Sequence, residues 1–92
     1  MAQQLRARFD VILVVEQDGK AVQFDFATNL RDHFEMAKRF PKAAEEPSTA
    51  TFKLIWCAAQ RVGISPEGEA FDAWVDRVLD VQLDELPPLV KG

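Results

Sequence analysis

The chain has one cysteine, Cys57, and one histidine, His33, in 92 residues. A lone cysteine excludes an internal disulfide and fits a reducing cytoplasm. The two residues fall on different expected helices with no second soft ligand, so a zinc site lacks its ligand count. The four glycines, Gly19, Gly63, Gly68 and Gly92, make no dinucleotide fingerprint and no P-loop. A calcium-loop motif and a nucleophile elbow are missing as well. No apolar run approaches the roughly 20 residues that span a bilayer. The run Val11 to Val15 lacks a small-residue cleavage site and reads as a strand rather than a signal peptide. Cations are few and dispersed, 11 Lys and Arg against 15 Asp and Glu, for a net charge of −4. Phosphate-backbone binding needs clustered cations, so nucleic acid is not an expected partner. Neither a metal, a cofactor nor a membrane is expected, and catalysis has no constellation to start from.

What remains is apolar. The hydrophobic fraction is 48%, with seven Phe and two Trp, which is too rich for a disordered chain and predicts a packed core. This length makes one domain that buries only about two-thirds of its unfolded surface, a regime in which self-association often adds stability.

The pattern predicts an α+β domain over residues 8–86 in the order β-β-α-α-α, with a flexible N-terminus (1–7) and a flexible tail (87–92) after Pro87-Pro88. Phe9, Val11, Leu13 and Val15 share one strand face; Ile12 and Val14 lie on the other, so this strand is expected to be covered on both sides, at least partly. Asp18-Gly19 is a type I′ hairpin signature, and Val22, Phe24 and Phe26 alternate behind it, giving a hairpin over 8–27. A lone hairpin is marginal in water, so its apolar face must meet helices or another chain. Thr28 or Asn29 is placed to cap a helix over about 29–40, in which Leu30, Phe34, Ala37 and Phe40 form the expected core stripe ahead of Pro41. After a loop at 41–47, Ser48 or Thr49 caps a helix over about 48–62, striped by Phe52, Ile55, Trp56, Ala59 and Val62 and closed by Gly63. A third helix over about 67–82 carries Phe71, Trp74, Val75, Val78 and Leu79 on one side.

Cys57 and His33 could pair as nucleophile and base, but Cys57 inside an apolar helix reads as a small core hydrophobe. Asp72, Asp76, Asp80 and Asp84 recur every four residues, an acidic stripe along the expected third helix. It is read first as a solvated face and second as a rim that meets a basic partner. Asp80 and Asp84 near a helix C-terminus would oppose the macrodipole, a local conflict that keeps the second reading open. Phe52, Phe71 and the two Trp are read mainly as core, and any ring left exposed becomes an interface anchor. The candidate protein-binding residues are accordingly Phe52, Trp56 and Trp74 as anchors, with Asp72, Asp76 and Asp80 as their rim.

The order of features is similar to the small tail assembly chaperones of long-tailed phages, particularly those of actinobacteria. The resemblance runs from the hairpin to residue 85 through Val22-Gln23-Phe24-Asp25-Phe26, Thr28-Asn29-Leu30-Arg31-Asp32, the helix from Phe52 to Arg61-Val62-Gly63, and Phe71-Asp72-Ala73-Trp74-Val75-Asp76. A departure is Phe34-Glu35, where many members carry a tryptophan. The resemblance implies a non-catalytic protein of the infected host's cytoplasm that binds the long, hydrophobic tape measure protein in several copies. It implies help in recruiting tail tube subunits and absence from the finished virion. It also implies a longer frameshifted product, whose signal would lie in the RNA. Independently, the edges of a two-stranded hairpin can pair with neighbouring copies unless something covers them, which predicts weak, concentration-dependent self-association. The same composition allows two other readings: a structural virion part, such as a head-tail connector or tail-completion protein, or a small cellular adaptor.

Overall fold

The structure, a computed structural model, describes residues 8–42 and 45–86. The expected flexible termini, 1–7 and 87–92, lie outside the described residues, as do positions 43 and 44 of the expected loop. The domain is α+β: strands β1 (Phe9–Gln17) and β2 (Lys20–Ala27), helices α1 (Leu30–Arg39), α2 (Pro47–Arg61) and α3 (Phe71–Arg77), and strand β3 (Val78–Glu85). The sheet is antiparallel in the order β2-β1-β3, so the first strand is its centre.

The hairpin forms because its turn pair accepts the backbone it needs. Asp18 and Gly19 have φ of 53° and 77°, the positive values that a two-residue turn matched to strand twist requires. Gln17 faces Lys20 across it. Val11, Leu13 and Val15 are fully buried and pack with Phe26, Ile55, Trp56, Cys57, Ala58, Ala59 and Trp74 in one apolar cluster. Ile12 and Val14, on the opposite face, are half-buried.

Asn29 is the cap of α1: its side chain accepts from the Asp32 N–H while the Asp32 carboxylate accepts from the Asn29 N–H at 2.8 Å, a capping box. Thr28 does different work, accepting the Phe9 N–H at 2.9 Å through its hydroxyl. The expected Ser48 or Thr49 cap of α2 is corrected: the helix starts at Pro47, whose fixed φ suits the first turn, and no side chain caps it. Gly63, at φ 88°, ends α2 as expected, and the Ile64 N–H reaches back to the Ala59 carbonyl at 2.8 Å.

Two further expectations are corrected. The third helix stops at Arg77, and Val78–Glu85 is a strand paired along β1, from Val15 opposite Val78 to Phe9 opposite Glu85, with a bulge beside Val14. A two-stranded hairpin would have left one edge of the apolar strand β1 unpaired, and β3 supplies those hydrogen bonds. Most of the expected core stripe of α1 faces water instead: Leu30, Phe34 and Ala37 are exposed, Phe34 to 53%, and only Phe40 of the four meets the core. The helix turns Asp32 inward, fully buried, with Met36 and Phe40 packed against the core.

Candidate functional site

Several polar side chains are tied to each other across the fold. Arg61 of α2 donates to both Asp32 oxygens, Nε at 2.8 Å and Nη2 at 3.0 Å, and Nη2 also donates to the Ala27 carbonyl at 2.7 Å. One guanidinium thus joins α1, α2 and β2, and hydrogen bonding to Asp32 raises its pKa further. At the other end of the domain Arg77 holds Glu69 through two bonds of 2.8 and 2.9 Å, Ser65 donates to Glu69 at 2.6 Å, and Arg77 reaches the Glu16 carbonyl. The Arg77 hydrogen bonds hold the Glu69 carboxyl below its ordinary range.

A cleft of about 400 Å³ opens between α1 and α2, lined by Arg31, Glu35, Arg39, Cys57, Gln60, Arg61 and Glu67. Two of its cations are engaged: Arg61 holds Asp32, and Arg39 bonds Gln60, pairs with Glu35 at 3.5 Å and lies 5.2 Å from the Trp56 ring centroid. Burial pushes the Cys57 thiol up to about 11, so it stays protonated at neutral pH. No group of three or more His, Cys, Asp or Glu among the described residues could hold a metal ion. No helix among them is long and apolar enough to cross a membrane.

Part of the exposed apolar surface lies elsewhere. A groove of about 310 Å³ lies between α2, α3 and β3, lined by Thr49, Phe52, Phe71, Asp72, Trp74, Val75, Val78 and Val81. Phe52 and Val75 are exposed there, and Leu79 and Leu83 of β3 are exposed as well. Phe71 anchors the groove floor within an aromatic chain, its ring 5.6 Å from Phe40, 5.8 Å from Trp56 and 5.9 Å from Trp74.

The residues singled out from sequence are therefore divided. Phe52 is exposed at the groove, whereas Trp56 and Trp74 are core residues at 7% and 1% exposure, each with an indole N–H that finds no acceptor. Asp72 borders the groove and Asp76 is exposed on α3. The acidic stripe is corrected: Asp80 and Asp84 belong to β3, not to a helix, and face away from the groove. Asp80 stands opposite Val14 and Asp84 opposite Asp10, on the sheet face without helices. On that face Asp10 lies near Asp25; their shared hydrogen bond raises the Asp10 pKa above its ordinary value. Sequence reasoning missed the Asp32–Arg61 and Glu69–Arg77 ties, which join residues far apart in the chain and follow no periodicity. It also missed that Leu30 and Phe34 would be exposed; the sequence held only the Asn29-to-Asp32 capping-box spacing, which does not say which face of α1 turns inward.

No protein-family model, no curated protein and no solved structure matches this chain.

Proposed function

We propose that this protein is a non-catalytic phage tail assembly chaperone that binds and solubilises the tape measure protein during tail morphogenesis. The observation that carries the reading is the apolar groove at Phe52, Val75, Val78 and Val81, with exposed Leu83 on the same face of β3, on a domain whose Asp32–Arg61 and Glu69–Arg77 charges are paired internally. Exposed apolar surface bordered by polar residues marks sites of protein association. The order of the hairpin, the α2 helix ending in Arg61-Val62-Gly63 and the Phe71 to Asp76 segment supports the family assignment. In this reading the protein acts in the host cytoplasm in several weakly associating copies, shields a client helix, assists recruitment of the tail tube protein and is left out of the mature virion. Phe52 and Asp72 are the residues of the original candidate set that border the groove. Trp56 and Trp74 support it from beneath.

The test is co-expression with a candidate tape measure protein encoded in the same gene cluster. The client is expected in the soluble fraction, bound to this chain, and insoluble without it. A client whose solubility does not change refutes the reading. Mass spectrometry of purified virions adds the second arm, because finding the protein there makes it a structural component instead.

A further inference from the structure

Among the described residues, no strand lies beside the outer edge of β3. The Leu86 N–H donates to the Arg8 carbonyl at 2.8 Å, and antiparallel alternation then turns the backbone groups of Glu85, Leu83 and Val81 away from β1. Val81 fits this phase, since its N–H is taken by the Asp80 carboxylate at 2.9 Å. The opposite edge is partly blocked, because Arg61 occupies the outward carbonyl of Ala27. Sheet edges are ordinarily blunted by lysine, proline or a covering element. Val78–Glu85 contains neither residue; its bulge is confined to the end near Val78, and the charges that blunt the rest are the carboxylates of Asp80, Asp84 and Glu85.

The two sides of this edge differ in chemistry. Val81 and Leu83 point to the helix side, where the groove continues past Phe52 and Val75. Asp80 and Asp84 point to the other side, where Asp84 faces Asp10 and Asp25 lies near. Arg8 stands at the end of that face and has its own interactions. A second β3 added about a two-fold axis would bring carboxylates against carboxylates, and like charges across strands are destabilising. Charge therefore selects against another copy here and in favour of a cationic strand.

We propose that the outer edge of β3 accepts an extended segment of a partner protein in which apolar residues alternate with lysine or arginine. The segment adds a fourth strand: its backbone pairs with Val81, Leu83 and Glu85, its apolar side chains enter the groove beside Phe52 and Val75, and its cations meet Asp80 and Asp84. The Asp80 carboxylate guards the Val81 N–H until an arriving cation draws it aside. This inference goes beyond the chaperone reading, which concerns a helical client, and stands without it.

The full chain, labelled with ¹⁵N, is titrated with a synthetic eight-residue peptide alternating valine and lysine, with its valine–glutamate counterpart, and with a fully N-methylated valine–lysine form. The expected result is binding of the first alone, with shifts centred on residues 81–85, Phe52 and Val75. The combined Asp80→Asn and Asp84→Asn variant should bind roughly fivefold more weakly, the scale of two exposed ion pairs. Equal binding by the N-methylated peptide, shifts centred away from β3, or β3 resonances that move with protein concentration alone would each overturn it. Failure of the wild-type chain to solubilise the tape measure protein, with the titration behaving as stated, removes the chaperone reading and leaves the edge site intact.

Discussion

Replacing Asp32 by alanine tests how much of the stability passes through a single carboxylate. Asp32 is fully buried and accepts three bonds, one from the Asn29 N–H and two from Arg61. Loss of its half of the capping box costs about 1 kcal/mol. Removing one partner of a fully buried ion pair costs about 3–5 kcal/mol. Here the Arg61 side chain keeps 32% of its exposure and can be rehydrated, so the ion-pair share falls to about 2 kcal/mol. The total, about 3 kcal/mol, lowers the melting temperature of a domain this size by about 15 °C. Urea titration and calorimetry of Asp32→Ala, Arg61→Met and the double variant measure it. A coupling of about 1.5 kcal/mol between the two sites is expected from the cycle. If Asp32→Ala loses under about 1 kcal/mol, the inward charge is incidental and the account of why α1 faces Phe34 outward fails.

Trp74→Ala should cost about 3–5 kcal/mol, while Trp74→Phe should cost clearly less, because the indole N–H it removes has no acceptor; equal losses in chemical denaturation would contradict that. The Glu69 carboxyl has a depressed folded pKa, so its contribution is present above its ordinary value near 4.5 and is lost as pH falls through the lower folded value. Glu69→Gln should therefore flatten the acid limb of a stability–pH curve measured from pH 6 downward, and an unchanged limb counts against the Arg77 tie. Cys57 should react with a thiol reagent at pH 8 roughly a hundredfold more slowly than a free thiol, accelerating with denaturant in step with unfolding; rapid labelling of the native protein would contradict its burial.

The hairpin was legible because Asp18-Gly19 and the alternation on either side of it are local signals. Gly63 and the Asn29 cap were legible for the same reason, each needing only a backbone angle or one short side chain. β3 was misread because Phe71, Trp74, Val75, Val78 and Leu79 keep a helical spacing straight across the helix–strand junction. The correct signal was present in Val81-Gln82-Leu83-Asp84, which alternates, and in the dipole conflict of Asp80 and Asp84 that a strand removes. What decides between the two periods is the vacant side of β1, a partner far away in sequence. The apolar groove depended on that decision, since Val78 and Val81 line it only when they lie on a strand.

The central position of β1 also orders events during synthesis. Its hairpin partner leaves the ribosome almost immediately, but Phe9 waits for Glu85, far along the chain. Pairings between such distant positions close slowly and late. A nascent chain therefore exposes a greasy, half-zipped ribbon until β3 has been made, and a messenger cut short before the codons for β3 would yield a product that never seals its first strand.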